Sequence, residues 1–270
     1  MVINENKNIG TVIFIVEGQH FEFSVIDRIF TKIFHYEYHE KRRGKTKYLN
    51  KGHNPLSRVF VLNAENSNLD SINNEKYLDD LYEELSKEFS VNIDDATIFF
   101  IFDRDPKSNI KNSKGYSEDK YIKLHNYYSN PWENDNNRIG GQLLLNYPSL
   151  ESYEISNFID HSHTLKFGLG NELKQFIALD ENKNIQLNKM SVGTIEHATQ
   201  EFIDFINETD IMMDIDDLSS VPLDVYNLEE QIYEKESVYR LLSLLTIAFI
   251  QLGIVTIEDG DVNNYIARSL

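Results

Sequence analysis

Four carboxylates sit just past apolar runs. Glu17 follows Thr11-Val12-Ile13-Phe14-Ile15-Val16, Asp103 and Asp105 follow Ala96 to Phe102, and Glu151 follows Gln142 to Asn146 after the turn Tyr147-Pro148-Ser149. Continuous β-branched and aromatic runs without alternation belong to parallel strands covered on both faces. In an open parallel sheet the carboxyl ends of such strands share one edge, and ligands bind there. Acids far apart in the chain are thereby expected at one place. Like charges so gathered raise one another's pKa unless a cation intervenes. The cation that suits all-oxygen donors is hard and divalent, Mg2+ or Mn2+, and Mg2+ suits a site that also holds phosphate. Singly, each acid has a plainer explanation, because Asp favours turns and acids often open helices. Their joint placement argues for chemistry, as does Gly18, which lets backbone or ligand come close beside Glu17.

These acids need a sheet to position them. Between the runs lie an amphipathic stretch from Phe21 to Phe34, a polar insert over about 36–57, a second buried-type strand at Arg58–Leu62 and a helical pattern from Glu75 to Phe89. A helix is expected over Ser117–Tyr128, and Ser149 is expected to cap the helix that begins near Glu151. Strands alternating with helices predict an α/β, Rossmann-like and mostly parallel sheet with right-handed crossovers, flanked by helices. The expected catalytic domain spans residues 1–160. Beyond it the pattern changes to helices, Thr194–Asn207 and Leu228–Leu252, with acidic connections; residues 161–270 read as a helical C-terminal region. Within it Leu241 to Ile250 is apolar nearly all round, the mark of a buried helix.

Val16-Glu17-Gly18 after one apolar strand, with Asp103-Arg104-Asp105 after a later one, resembles the Toprim fold of topoisomerases, bacterial primases, the ribosomal RNA maturase M5 and the overcoming-lysogenization-defect nucleases. The resemblance covers about residues 10–160. Tyr147-Pro148-Ser149-Leu150-Glu151-Ser152 is similar to the Pro-x-x-Glu helix start of small Toprim effectors in bacterial anti-phage systems. Among these are the domain-of-unknown-function 4435 class, partner of an ABC-type ATPase in the PARIS system, and the RloB and abortive-infection relatives. The resemblance implies a divalent-metal nuclease. Glu17 would be the general acid/base or a ligand of a second metal, Asp103 and Asp105 would hold Mg2+, and Glu151 would complete the site. Topoisomerases and primases extend the aspartate pair with a third acid where this chain has Lys107, which leaves Glu151 as the extra ligand. Two alternatives stay open: a non-catalytic Toprim-like interaction module, and an M5-like RNA-processing nuclease.

A net charge of −18 over 270 residues argues against a simple electrostatic footprint on nucleic acid. The charge is uneven: residues 1–160 carry −6 and residues 161–270 carry −12. The first part also holds two basic islands. In the island Arg104, Lys107, Lys111, Lys114, Lys120 and Lys123, the first four follow the aspartates and are expected to meet phosphates or else to form a solvated loop. The other island, Lys41, Arg42, Arg43, Lys45, Lys47 and Lys51, lies between a helix and a strand and is expected at the opposite edge of the sheet unless its length of about twenty residues lets it fold back, as a substrate or partner arm or else a solvated insert. The acidic C-terminal region is expected to dock a basic partner or a second copy of the chain. His20 reads as an exposed first-turn residue, Glu154 as a neighbour of the cluster or a solvated acid, Tyr153 as core or rim, and Asp160-His161-Ser162-His163 as incidental.

Several classes are excluded. Without cysteine there is no disulfide, no thiol nucleophile and no cysteine zinc site. No Gly-x-x-x-x-Gly-Lys is present, so an ATPase would be a separate polypeptide. The longest nearly apolar run, Leu241 to Val255, is shorter than the ~20 residues of a membrane span. A cytoplasmic protein is expected.

Overall fold

The architecture is that of a computed structural model, which describes residues 1–18, 20–41, 46–51, 56–64, 69–106, 118–132, 140–258 and 261–262. After a short β1 (Val2–Ile3), the chain enters β2 (Thr11–Val16), whose residues 12–16 are all fully buried. Helix α1 (Phe21–Asp27) continues as a wider π-helical turn over Arg28–Ile33, and together they bury Phe23, Val25, Ile26, Ile29, Phe30 and Ile33 against the sheet. A hairpin follows, β3 (Tyr36–Lys41) and β4 (Thr46–Lys51), and then β5 (Arg58–Asn63). Helix α2 (Glu75–Phe89) is capped by the Asn74 side chain, which accepts from the Tyr77 amide, and turns Leu78, Tyr82 and Leu85 inward.

The third apolar run forms β6 (Ala96–Asp103), buried throughout until Asp103. Helix α3 (Glu118–Tyr127), a short β7 (Ser129–Asn130) and β8 (Gly141–Tyr147) lead into α4 (Glu151–Ser156). The rest of the chain supplies β9 (Lys166–Phe167), α5 (Gly170–Ile177), α6 (Val192–Asn207), α7 (Val221–Glu236), β10 (Tyr239–Arg240), β11 (Leu242–Ser243), α8 (Leu245–Gln251) and β12 (Val255–Thr256).

The main sheet runs β11-β8-β6-β2-β5-β4-β3, with β7 also on β8. Its four central strands, β8, β6, β2 and β5, are parallel, and antiparallel strands flank them on both sides. The result is an α/β fold with a mixed, mostly parallel central sheet between helices. From β2 the chain moves to β5 on one side, whereas from β6 it moves to β8 on the other. Connections that diverge from adjacent strands open a crevice at their carboxyl ends, where open α/β sheets bind ligands.

The insert expected over 36–57 is mostly strand. Tyr36 and Tyr38 fall at period two within β3, a strand signal hidden by the surrounding charge. Of the two placements expected for the island, the hairpin gives the folded-back one. Lys41 pairs with Lys47, which lies level with Val61 of β5, itself level with Phe14 of β2. The described end of the hairpin therefore approaches the carboxyl edge, three strand spacings or about 14 Å from β2. Arg42 and Arg43 lie outside the described residues, as do Lys107, Lys111 and Lys114.

The single helix expected over Leu228–Leu252 is interrupted. Ser237 adopts a left-handed conformation, φ 59°, that ends α7; β10 and β11 follow, and only then α8. Tertiary pairing overrides the helical pattern here: Leu242 and Ser243 extend the main sheet beside Tyr147 and Asn146. Helix α8 is buried from Leu245 to Ile250, and its Phe249 ring lies 6.4 Å from Phe30 and 6.1 Å from Tyr153. The C-terminal region thus shares the sheet's own core.

Candidate active site

The ladder between β2 and β6 ends with Val16 opposite Ile101, and the Glu17 amide donates to the Ile101 carbonyl at 3.1 Å. Glu17 and Asp103 are thereby fixed beside each other at the crevice. One Glu17 carboxylate oxygen accepts from the Asp103 amide at 3.0 Å, and its backbone carbonyl accepts from the Asn63 side chain at 2.7 Å. The Asp103 carboxylate in turn accepts the Leu150 amide at 2.9 Å, at the start of α4. Adjacent strands and the following helix are stitched together through the two acids.

Glu151 opens α4 and is buried. One of its oxygens accepts from the Ser149 hydroxyl at 2.7 Å, and the other lies 3.3 Å from Lys174 Nζ on α5. Ser149 is therefore not the expected cap: Leu150 holds the N-cap position, and the Ser149 hydroxyl turns to Glu151 because that carboxylate is the stronger acceptor within reach. Asp105 points to the other helix start, accepting the Gly170 amide at 3.0 Å.

The electrostatics join these groups with two that sequence reasoning missed, Glu22 and Lys174. Burial pushes Glu17 up to about 7; the Asp103 amide opposes this, while Glu22 and Asp105 add to it. Burial also holds Asp103 well above the ordinary carboxylate range, with Glu17, Glu22 and Glu151 reinforcing and the Leu150 amide opposing. Glu22, in the first turn of α1, is raised by burial and then by Glu151, against hydrogen bonds from its own amide and that of Gly18. Lys174 is raised chiefly by Glu151, with Asp103 and Glu22 adding. Glu22 left one sequence trace, its place five residues after Glu17 and beyond a glycine. A Cβ on Gly18 would collide with the Glu22 carboxylate, so that glycine makes room for an acid. Lys174 left none, because its approach depends on how α5 folds back on α4.

Arg104 points elsewhere. Its guanidinium pairs with Glu230 of α7 at 2.6 Å and lies over the rings of Tyr121, at 4.6 Å, and Tyr239, at 5.6 Å. It is a latch between the crevice loop and the C-terminal helices. As placed it is turned from the edge where a phosphate would lie, because alternate residues in an extended segment face opposite ways. Glu154 does not meet solvent; it is buried, accepts the Leu187 amide and is raised to about 7 by burial, with the charge of Glu151 adding. Tyr153 is core, and His20 is exposed at the N-cap of α1.

No protein-family model, curated protein or solved structure matches the chain. The crevice itself, by its geometry, is what bears on function.

That geometry offers oxygen donors of like charge from β2, α1, β6 and α4, with Lys174 as the cation beside them. The donor set fits a hard divalent ion. The carboxylates are held by protein donors, however, and among the described residues only His163, Glu201 and Asp204 bring their ligand atoms within 4.8 Å of one another. Gathering Glu17, Asp103 and Glu151 around an ion requires side-chain rotation away from those donors. Among the described residues, no helix is long and apolar enough to cross a membrane.

Proposed function

We propose that the protein is a Toprim-like, metal-dependent endonuclease that hydrolyses phosphodiester bonds in nucleic acid, tRNA or other RNA or DNA. Its setting is anti-phage defence, as a toxic effector restrained by a partner ATPase. The observation that carries the chemistry is the pair Glu17 and Asp103, two carboxylates on adjacent parallel strands at the crevice, both raised by burial. A carboxyl that exchanges its proton near neutrality suits general acid/base work on an attacking water or a departing oxygen. Asp103, Asp105 and Glu151 would hold Mg2+ or Mn2+, which supplies charge stabilisation at the phosphoryl and leaving oxygens when bound. Glu22 enlarges the negative field, and Lys174 sits where it can offset charge on Glu151.

The Toprim assignment is supported by Glu-Gly and Asp-x-Asp following neighbouring strands of one sheet. The defence setting, with an ATPase partner, is supported by the likeness of the Pro148-to-Glu151 helix start to that of small Toprim effectors. The −12 charge of residues 161–270 favours a basic partner surface there.

A second reading, a non-catalytic Toprim-like module, is favoured by one observation: Glu17, Asp103, Asp105 and Glu151 all accept hydrogen bonds from the protein itself. Mg2+-dependent cleavage of tRNA and plasmid DNA by the purified chain, together with toxicity on expression, separates the two. Under the nuclease reading E17Q and D103N/D105N abolish both while circular dichroism is unchanged. Undiminished toxicity in those folded variants sinks it.

A further inference from the structure

The segment Asp160-His161-Ser162-His163 is built into the structure. His161 takes a left-handed conformation, φ 56°, and starts a tight turn over Ser162–Thr164 that faces α6. Glu201 and Asp204 on that helix and Glu208 at its C-cap recur at i, i+3 and i+7, the spacing of one helical face. Glu201 is saturated by the turn. It accepts the His161 amide at 2.8 Å, the Ser162 hydroxyl at 3.1 Å, the His163 amide at 3.2 Å and His163 Nδ1 at 2.7 Å, as many donors as a carboxylate takes.

The other ring nitrogen is the informative atom. His163 is 2% exposed, and its Nε2 has no hydrogen-bond partner, yet it lies 3.4 Å from a Glu208 oxygen. With Nδ1–H given to Glu201, Nε2 faces the acids at the end of α6; in the ion-free chain Glu201 and Glu208 favour a proton on it, which a bound ion would replace. A histidine that donates one nitrogen to a carboxylate and aims the other into a cluster of acids has the posture of a metal ligand with its orienting partner. His163, Glu201 and Asp204 already approach within chelating distance of one another. Asp204 is half-buried and accepts from the Gln200 side chain at 2.8 Å, whereas Glu208 is exposed and lines a groove of about 720 Å3 through which an ion can enter.

We propose that His163 Nε2, Asp204 and Glu208 bind a divalent transition ion of the zinc class, with Glu201 orienting the imidazole. One imidazole and two carboxylates, with a fourth position for water, match the donors and number that Zn2+ takes. The site is separate from the carboxylate edge. It lies at the far end of α4 from Glu151, where the Ser156 and Ser162 hydroxyl oxygens lie 3.0 Å apart and His197 Nδ1 meets the Ser156 carbonyl at 2.7 Å. An ion here braces the turn and α6 behind the helix that presents Glu151.

The test is isothermal titration of the full chain, stripped by a chelator, with Zn2+ alone. One site is expected, unchanged in E17Q/D103N, weakened about 10–100-fold in E201Q and at least as much in D204N/E208Q. The substituted α6 residues include exposed and half-buried positions, and circular dichroism verifies folding. Nitrogen NMR of the histidine rings should show Zn2+ on His163 Nε2 and a proton kept on Nδ1. Equal Zn2+ binding by folded D204N/E208Q, or no binding by the stripped wild-type chain, overturns the proposal and leaves His163 as an ion-pair partner of Glu201 and Glu208.

Discussion

The amide of Asp103 donates to the carboxylate of Glu17 at 3.0 Å, so the backbone of one acid holds the side chain of the other. Two consequences follow from this bond. The pair stays together without a cation, and burial outweighs the amide in setting the Glu17 pKa.

Stability in metal-free buffer should fall as pH rises. A glutamate raised from its ordinary 4.5 to about 7 binds its proton more tightly in the folded chain than in the unfolded one. Folding is therefore favoured at low pH by this group, and the advantage disappears as pH climbs from the unfolded value through the folded one. Glu17 keeps partial exposure, so the effect should amount to about 1–2 kcal/mol. Chemical denaturation at pH 5 and pH 8 should show this slope in the wild type and a smaller one in E17Q. Mg2+ should flatten it at pH 8. A slope identical in E17Q would detach the titration from Glu17.

Replacing Arg104 should damage the fold more than nucleic-acid binding. The Arg104 side chain is 13% exposed, and R104A would strand the Glu230 carboxylate beside Tyr239, whose hydroxyl reaches the other Glu230 oxygen at 3.1 Å. Breaking a largely buried pair costs about 3–5 kcal/mol when desolvation is complete; with this residual exposure about 2 kcal/mol is expected. R104K should recover only part, because a lysine lacks the planar fork that pairs and stacks at once. Denaturant midpoints measure the loss. The salt dependence of nucleic-acid binding should keep its slope, whereas a residue touching phosphate would lower it by about one ion.

How far these residues were legible in sequence depended on the range of the forces that placed them. The strands at Thr11, Arg58, Ala96 and Gln142 announce themselves, because a buried parallel strand needs an unbroken apolar run. Glu17 and Asp103 then follow from topology, since strand ends share an edge. Glu22, Lys174 and Glu230 do not, because they arrive by packing of helices whose tilt no local pattern encodes. The hairpin at Tyr36–Lys51 was obscured by its cations, and the break at Ser237 by apolar residues that suit strand and helix equally. Arg104 shows the limit most clearly: its neighbours in sequence are acids at the crevice, but its neighbours in space are Tyr121, Glu230 and Tyr239.

Gly170 joins the two parts of the chain at the crevice, and an alanine there should impair it. A Cβ would stand 2.9 Å from Ser149 Oγ and 3.0 Å from Asp105 Oδ2. Both atoms are committed, Ser149 to Glu151 and Asp105 to the Gly170 amide itself, so neither can yield without moving a carboxylate. G170A should therefore displace Asp105 and Glu151 together. A loss of about 1–2 kcal/mol is expected, the ordinary size of an overpacked contact. Under the nuclease reading, its cleavage should need more Mg2+ for half-maximal rate, and D105N should make the Mg2+ response insensitive to the added methyl group. If G170A instead shifts stability alone and leaves the Mg2+ requirement unchanged, Asp105 serves to anchor α5 and not to hold the ion.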